Sequence, residues 1–332
     1  MKASDHAVSH AKTVRDALDA GALRLHSAWA AHSPIQETDY NARLDAEVLL
    51  AFVLRSGRSD LYAHPERALD AEETEKYQAV LARRAAFEPI AYITGEREFY
   101  GLSFAVGPEV LIPRPETELI IDITRAFTIT PRRIIDVGTG SGALAICLAR
   151  IFPEAEVWAT EISPDAFAWA KRNAERLLDA GERARCAFVL GDLFAGIEGN
   201  FDLIVSNPPY LGTAEYHACM PDVRIYEPAQ ALIATGCCIP SEATRNAQSG
   251  DGASIPFRAQ ARGTAEDDGL ALYRRLINAL PKILAPQGRA VFEISDSVLT
   301  GVLRLAREAG FSCETRQDLA GHTRIAVLAV SR

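Results

Sequence analysis

Residues 132–152, RRIIDVGTGSGALAICLARIF, decide the fold. Ile134, Ile135 and Val137 form a short apolar run, the signature of a strand buried on both faces. Gly138, Gly140 and Gly142 then punctuate a sharp turn, and Ala143 to Phe152 carry the residues of a helix. A strand that runs through a glycine loop into a helix is the first half of a βαβ unit. The same alternation continues downstream. EVWAT (156–160), CAFVL (186–190), FDLIVS (201–206), RAVFEI (289–294) and TRIAVLAV (323–330) read as strands. DAFAWAKRNAERLLDA (165–180), GLALYRRLINALPKIL (269–284) and VLTGVLRLAREAG (298–310) read as helices. Strands separated by helices predict parallel pairing in a doubly wound α/β sheet, with ligands at the carboxyl ends of the strands.

The chain upstream has a different texture. Leu44, Val48, Leu49, Phe52 and Val53 recur at helical spacing, and DAEETEKYQAVLARRAAF (70–87) offers Asp70 as a cap before an acidic first turn. Residues 1–87 therefore read as a small helical bundle. Residues 88–118 read as a connector, with a short hairpin in EREFYGLSFAVGPEVLIPRPETE (96–118) and a rigid turn into a helix near Glu116. Residues 119–332 make the α/β domain. Within it, 236–265 is rich in Gly, Ser, Ala and Arg without periodicity and reads as a mobile insertion.

Composition narrows the classes of function. The chain has 332 residues, 48% hydrophobic and 24% charged, the balance of a globular protein. A formal net charge of −9 argues against a whole-chain electrostatic grip on nucleic acid. No stretch supplies the roughly 20 apolar residues that span a bilayer, and the N-terminus lacks a secretory h-region. The six cysteines form no C-x-x-C pair and no zinc-ligand spacing; Cys147 reads as a small buried apolar residue, and adjacent Cys237 and Cys238 as loop thiols. The reading is cytoplasmic and metal-free.

Three strand ends carry candidate ligand groups. The loop Gly138-Thr139-Gly140-Ser141-Gly142 lets the backbone approach a ligand closely. Glu161 ends the next strand, where a carboxylate can accept both hydroxyls of a ribose. Asp192 and Leu193 follow the third strand, where an acid can accept from an adenine amino group. Together they describe an adenosine site. A dinucleotide would favour G-x-G-x-x-G and an uncluttered helix N-terminus. Here the spacing is G-x-G-x-G with Asp136 beside it, which suits the ammonium and sulfonium of S-adenosylmethionine better than a polyphosphate.

Asn207-Pro208-Pro209-Tyr210 follows the fourth strand. A planar NH₂ on a carboxamide or an aromatic base is a poor nucleophile because its lone pair is delocalised. Two acceptors aimed at its N–H groups favour a tetrahedral, attacking nitrogen. The Asn207 side-chain oxygen and the Pro208 carbonyl can supply them, the prolines stiffen the turn, and Tyr210 offers a flat face to the target. Attack on a methyl group needs positioning more than a strong base. Arg114 and Glu116 read either as an ion pair bracing the connector or as the lining of a substrate entrance. His322 reads as a loop residue, and Trp158 and Trp169 as core.

With these residues together, the chain resembles the HemK/PrmC family, the peptide chain release factor N5-glutamine methyltransferases. The match rests on 89–118 with LIPRPETE, DVGTGSG (136–142), SNPPY (206–210), DVRIYEP (222–228), EDDGL (266–270) and DLAGHTR (318–324). The resemblance implies a class I S-adenosylmethionine-dependent methyltransferase domain, a Rossmann-like seven-stranded sheet, and an N-terminal helical bundle that docks the release factor. It implies that Gly138, Thr139, Gly140, Ser141, Gly142, Glu161, Asp192, Leu193 and Asn207 bind S-adenosylmethionine. Asn207, Pro208, Pro209 and Tyr210 would hold the target glutamine of the factor's Gly-Gly-Gln loop. The alternatives are a ribosomal-protein glutamine methyltransferase and a DNA or RNA N6-adenine methyltransferase, which shares N-P-P-Y. Two departures stand out: Glu161 replaces the family's common Asp, and 236–265 is long where relatives are short.

Overall fold

The computed structural model describes residues 12–30, 40–234 and 268–331. The stretch 236–265, read as an insertion, lies outside the described residues, and Cys237 and Cys238 with it. The chain forms two units, one of residues 1–96 with 219–226, the other of 97–218 with 227–332.

The first unit is helical. Helices α1 (Val14–Ala30), α2 (Ala42–Leu54) and α3 (Ala71–Ala85) pack Leu18, Leu25, Leu49, Leu50 and Leu81 into one core. Asn41 caps α2 by accepting from the Leu44 N–H, and Asp70 caps α3 in a box with Glu73, as the acidic start of that segment predicts. Helix α1 was not foreseen from the pattern. The buried Arg84 is held by Asp45 at 2.7 Å and lies over the Trp29 ring, which pairs and covers a charge otherwise costly to bury.

The second unit opens with a hairpin, β1 (Glu96–Phe99) and β2 (Leu102–Ala105). Phe99 and Phe104 of this hairpin are buried in the core of the second unit. Helix α4 (Glu118–Arg125) follows. The main sheet is built from β3 (Arg133–Val137), β4 (Glu156–Glu161), β5 (Cys186–Leu190), β6 (Phe201–Ser206), β7 (Leu284–Glu293), β8 (Phe311–Gln317) and β9 (Thr323–Val330). Their order is β5-β4-β3-β6-β7-β9-β8, parallel except for β9, which runs antiparallel to both neighbours. This is the class I methyltransferase arrangement.

Helices α5 (Ala143–Ile151), α6 (Pro164–Leu177), α7 (Ala271–Ile283) and α8 (Asp296–Glu308) cover the sheet. Leu203 and Val205 of β6 pack with α5 and the alternate Ile204 with α7 and α8, while a register shift between Phe201 and Leu203 brings Phe201 to the Ile204 face. Trp158 joins the latter face edge-on to Phe201. Trp169, read as core, is half-buried and donates its Nε1–H to Glu109. Cys147 is buried, as its apolar neighbours imply.

The sheet reverses direction of winding between β3 and β6. Asp136 pairs with Val205 there, so the segments leaving both strands emerge side by side. Asn173 on α6 secures one of them. Its fully buried amide accepts from the Ala105 N–H at 2.8 Å and donates to the carbonyls of Ala105 and Ser141 at 2.9 Å each. Replacing Asn173 by Ala strands a buried N–H and two carbonyls, and should cost about 2–4 kcal/mol of stability. Urea unfolding checks this, with cofactor affinity expected to weaken in parallel because the Ser141 end of the glycine loop loses its anchor.

Candidate active site

A cleft of about 230 Å³ opens at the carboxyl ends of β3, β4, β5 and β6. Gly138, Thr139, Gly140, Ser141, Glu161, Asp192, Leu193, Asn207, Pro208 and Pro209 all line it. Two residues expected in the site, Gly142 and Tyr210, make packing contacts beside it. Gly142, at φ +84°, is packed against other helices: a Cβ there would lie 3.0 Å from Ile146 Cδ1 and 3.3 Å from Ala170 Cα. Its absence of a side chain serves the seating of α5 against α6. The Tyr210 ring packs against the β6–β7–α7 core, within electrostatic reach of Glu293, Arg114 and Glu116. Burial pushes its hydroxyl up to about 12.

The glycine loop is held from two sides. The N–H groups of Gly138 and Thr139 both donate to the Thr160 carbonyl at 2.9 Å, and the Gly140 N–H donates to Glu161 Oε2 at 2.9 Å. Gly138 has φ +73°, and a Cβ built there would meet no atom within 4 Å. That open space, beside a turn only glycine adopts without strain, is a cradle for a ligand. The other oxygen of Glu161 accepts from the N–H groups of Ile162 and Ser163. Glu161 thus ties the ends of β3 and β4 together, and burial raises its pKa against those hydrogen bonds. Each carboxylate oxygen has two lone pairs, and Oε2 accepts a single N–H, so acceptor capacity remains for a hydroxyl.

Asp136 is 1% exposed. Its Oδ2 accepts from Thr139 Oγ1 at 2.6 Å and from the Ala145 N–H at 3.2 Å, while Oδ1 has no partner among the described residues. Desolvation raises its pKa to about 7. A buried, half-satisfied acid on a cleft wall fits a cationic ligand, not a polyphosphate. Asp192, at the end of β5, pairs with Arg275 at 2.6 Å across the cleft rim. Leu193 beside it sits at φ +51°, a left-handed conformation unusual for a branched residue.

At the other wall, the Asn207 Nδ2 group donates to Thr117 Oγ1 at 3.0 Å, and Thr117 Oγ1 donates to Glu293 Oε2 at 2.5 Å. Glu293 is 2% exposed, and burial raises its pKa to about 7 against the pull of the Thr117 hydroxyl. Thr117 and Glu293 were missed in the sequence; Thr117 hides within LIPRPETE, and Glu293 gives no local signal. Arg114 lines the cleft and pairs with Glu227, which also accepts from the Ile112 N–H at 3.2 Å. Glu116 is not among the lining residues. His322 sits in an exposed turn with its ring on Asp296, away from this cleft.

Comparison with known proteins shows the family. Residues 28–95 match the PrmC N-terminal domain, and residues 117–237 match the methyltransferase small domain. The release factor glutamine methyltransferase of Geobacter sulfurreducens is 38% identical over 86% of this chain and 88% of its own length. That of Burkholderia pseudomallei is 38% identical over 83% and 88%, and that of Koribacter versatilis 43% identical over 66% and 75%. The chain belongs to the release factor glutamine methyltransferases. Its cofactor is S-adenosylmethionine, and the open space at Gly138, the unpartnered Asp136 oxygen and the spare lone pairs of Glu161 fit that group. No helix among the described residues is long and apolar enough to cross a membrane, and none of their His, Cys, Asp and Glu side chains cluster to hold a metal ion.

The raised acid of Asp136 has a sign that can be tested. Between the ordinary carboxyl range and about pH 7 the folded, ligand-free protein holds a proton there that the unfolded chain has lost, so this group's contribution to stability falls as pH rises through that window. A cationic ligand prefers the ionised acid. The affinity for S-adenosylhomocysteine, which keeps the ammonium, should therefore weaken by up to about tenfold from pH 8 to pH 6, with proton release on binding. Calorimetry in buffers of different ionisation enthalpy measures both, and Asp136→Asn should weaken binding and flatten the pH dependence.

Proposed function

We propose that this enzyme methylates the side-chain amide nitrogen, N5, of the glutamine in the Gly-Gly-Gln loop of peptide chain release factors. The observation that carries the reading is that Asn207 and Pro208 line the same cleft as the glycine loop and the unpaired acid Asp136. S-adenosylmethionine supplies a methyl group made electrophilic by its sulfonium. Gly138 to Ser141 hold the cofactor chain, Asp136 faces its ammonium, and Glu161 accepts from its ribose hydroxyls. Asp192 and Leu193 border the adenine.

The Asn207 side-chain oxygen and the Pro208 carbonyl each accept one N–H of the target amide. Both acceptors favour a nitrogen whose lone pair is localised, and the two prolines keep them at a constant separation. No residue need act as a strong base to start the attack; the N–H hydrogen replaced by the methyl group leaves as a proton afterwards. Preorganised acceptors that cost nothing to rearrange account for most of the acceleration in such a site. Tyr210, with its ring in the core, stiffens the turn that presents Asn207 and Pro208.

The helical N-terminal unit provides the docking surface for the release factor, a role supported by the match of residues 28–95 to the PrmC N-terminal domain. The setting is the cytoplasm, where termination takes place.

Incubation of the purified enzyme and labelled cofactor with release factor, its Gly-Gly-Ala variant, ribosomal protein and DNA tests the substrate. Label is expected on the release factor alone. Label on DNA, on ribosomal protein or on the Gly-Gly-Ala factor contradicts the proposal. The role of Asn207 has its own test: Asn207→Ala should lower kcat by about 10²–10³ while leaving cofactor affinity within a few-fold, as measured by calorimetry.

A further inference from the structure

An acceptor role for Asn207 requires its amide to present oxygen, not nitrogen, to the cleft. A primary amide is nearly symmetrical in shape, so sterics alone leave both orientations open. A flipped Asn207 would aim N–H groups at the N–H groups of the target, which is repulsive. Something must choose.

We propose that Thr117 and Glu293 are positioning residues that lock the Asn207 amide with its oxygen toward the substrate. The proposal rests on the reading of Asn207 given above. Its logic is one of donors and acceptors. An ionised carboxylate can only accept, so the Thr117 hydroxyl spends its single proton on Glu293 Oε2. The Thr117 oxygen is then left with lone pairs only and can only accept. The Asn207 group that faces it at 3.0 Å must therefore be the NH₂, and Oδ1 is turned away from Thr117.

The anchor of this chain is rigid. Glu293 ends β7 in register with Ile325 of β9, and its backbone carbonyl accepts from the Tyr273 hydroxyl at 2.6 Å. Thr117 is 5% exposed in the turn that starts α4, so water does not compete freely for its hydroxyl. Burying a carboxylate that accepts from a neutral hydroxyl, and from no charged donor among the described residues, is expensive, and packing alone would be served better by an apolar side chain. Its retention is explained if it polarises the chain that orients Asn207.

The test uses the full-length enzyme at pH 8, above the raised Glu293 pKa of about 7. Thr117→Val keeps the shape and removes the hydroxyl. It should lower kcat by about 30–100-fold with the cofactor Kd unchanged. Thr117→Ser restores the hydroxyl and should recover kcat to within about fivefold. Glu293→Leu should reproduce the Val defect, and the double variant should be no worse than either single one, because the two residues act as a unit. Thr117→Val with kcat within threefold of wild type (about 0.7 kcal/mol, below one neutral hydrogen bond) would overturn the proposal.

A second readout needs no turnover. The side-chain ¹⁵N–¹H₂ signals of Asn207, identified by their loss in Asn207→Ala, should be shifted and exchange-protected in the wild type. They should move to free-amide positions in both Thr117→Val and Glu293→Leu. Unchanged signals in both variants would sink the positioning role whatever the substrate proves to be. Loss of these signals' protection in an enzyme that leaves the release factor unlabelled would instead count against the substrate assignment alone.

Discussion

The parallel pairing of β3 with β6 is the constraint on which the rest depends. It sets Ile134, Ile135 and Asp136 against Leu203, Ile204 and Val205, so both strands end at the same level. The glycine loop and the Asn207 turn then begin as neighbours although some 70 residues separate them in the chain. A one-residue slip would exchange the faces of β6, moving Leu203, Ile204 and Val205 into the wrong cores and the Asn207 turn away from the cleft. The apolar content of both faces is what makes that slip costly. Catalytic geometry is thus held by hydrophobic burial some distance from the chemistry.

Three carboxylates sit deep in this site, and burial raises the pKa of each for a different purpose. Glu161 answers three backbone N–H groups and clamps the loop between β3 and β4. Asp136 is left half-satisfied, with one oxygen unpartnered among the described residues and free to meet a cation. Glu293 spends its negative charge on one hydroxyl. Natural proteins tolerate such buried acids where a ligand or a geometry depends on them, because replacement by apolar residues would relieve the desolvation. The clustering of all three around one cleft is itself a functional signal.

Motifs whose meaning is local were legible in the sequence. The glycine loop, Glu161 and the Asn207-Pro208-Pro209 turn all stand where their strand ends predict. Helix α3 was readable from Asp70 and its stripe. Three features were not. Helix α1 carries Gly21 at its middle and a weakly sided pattern, and its helicity is stabilised by packing on α2 and α3. Strand β8 is an edge strand whose polar residues alternate with few buried ones, so it lacks the apolar run of its neighbours. Asn173, an amide inside an amphipathic helix, looks like any surface residue until Ala105 and Ser141 are brought beside it.

By itself the sequence determined the alternation of strands and helices from β3 to β7, the residues at those strand ends and the chemistry they can perform, since periodicity, turn formation and side-chain pKa ranges are properties of short segments. The tertiary structure decided which of them meet. It gave Tyr210 and Gly142 packing contacts that their place in the sequence does not announce, because a ring and a missing Cβ serve whichever surfaces come near them. It also placed Thr117 and Glu293 behind Asn207, a juxtaposition across 176 residues of chain that no local pattern encodes, since a hydrogen bond between distant residues is specified only once the sheet has closed around it.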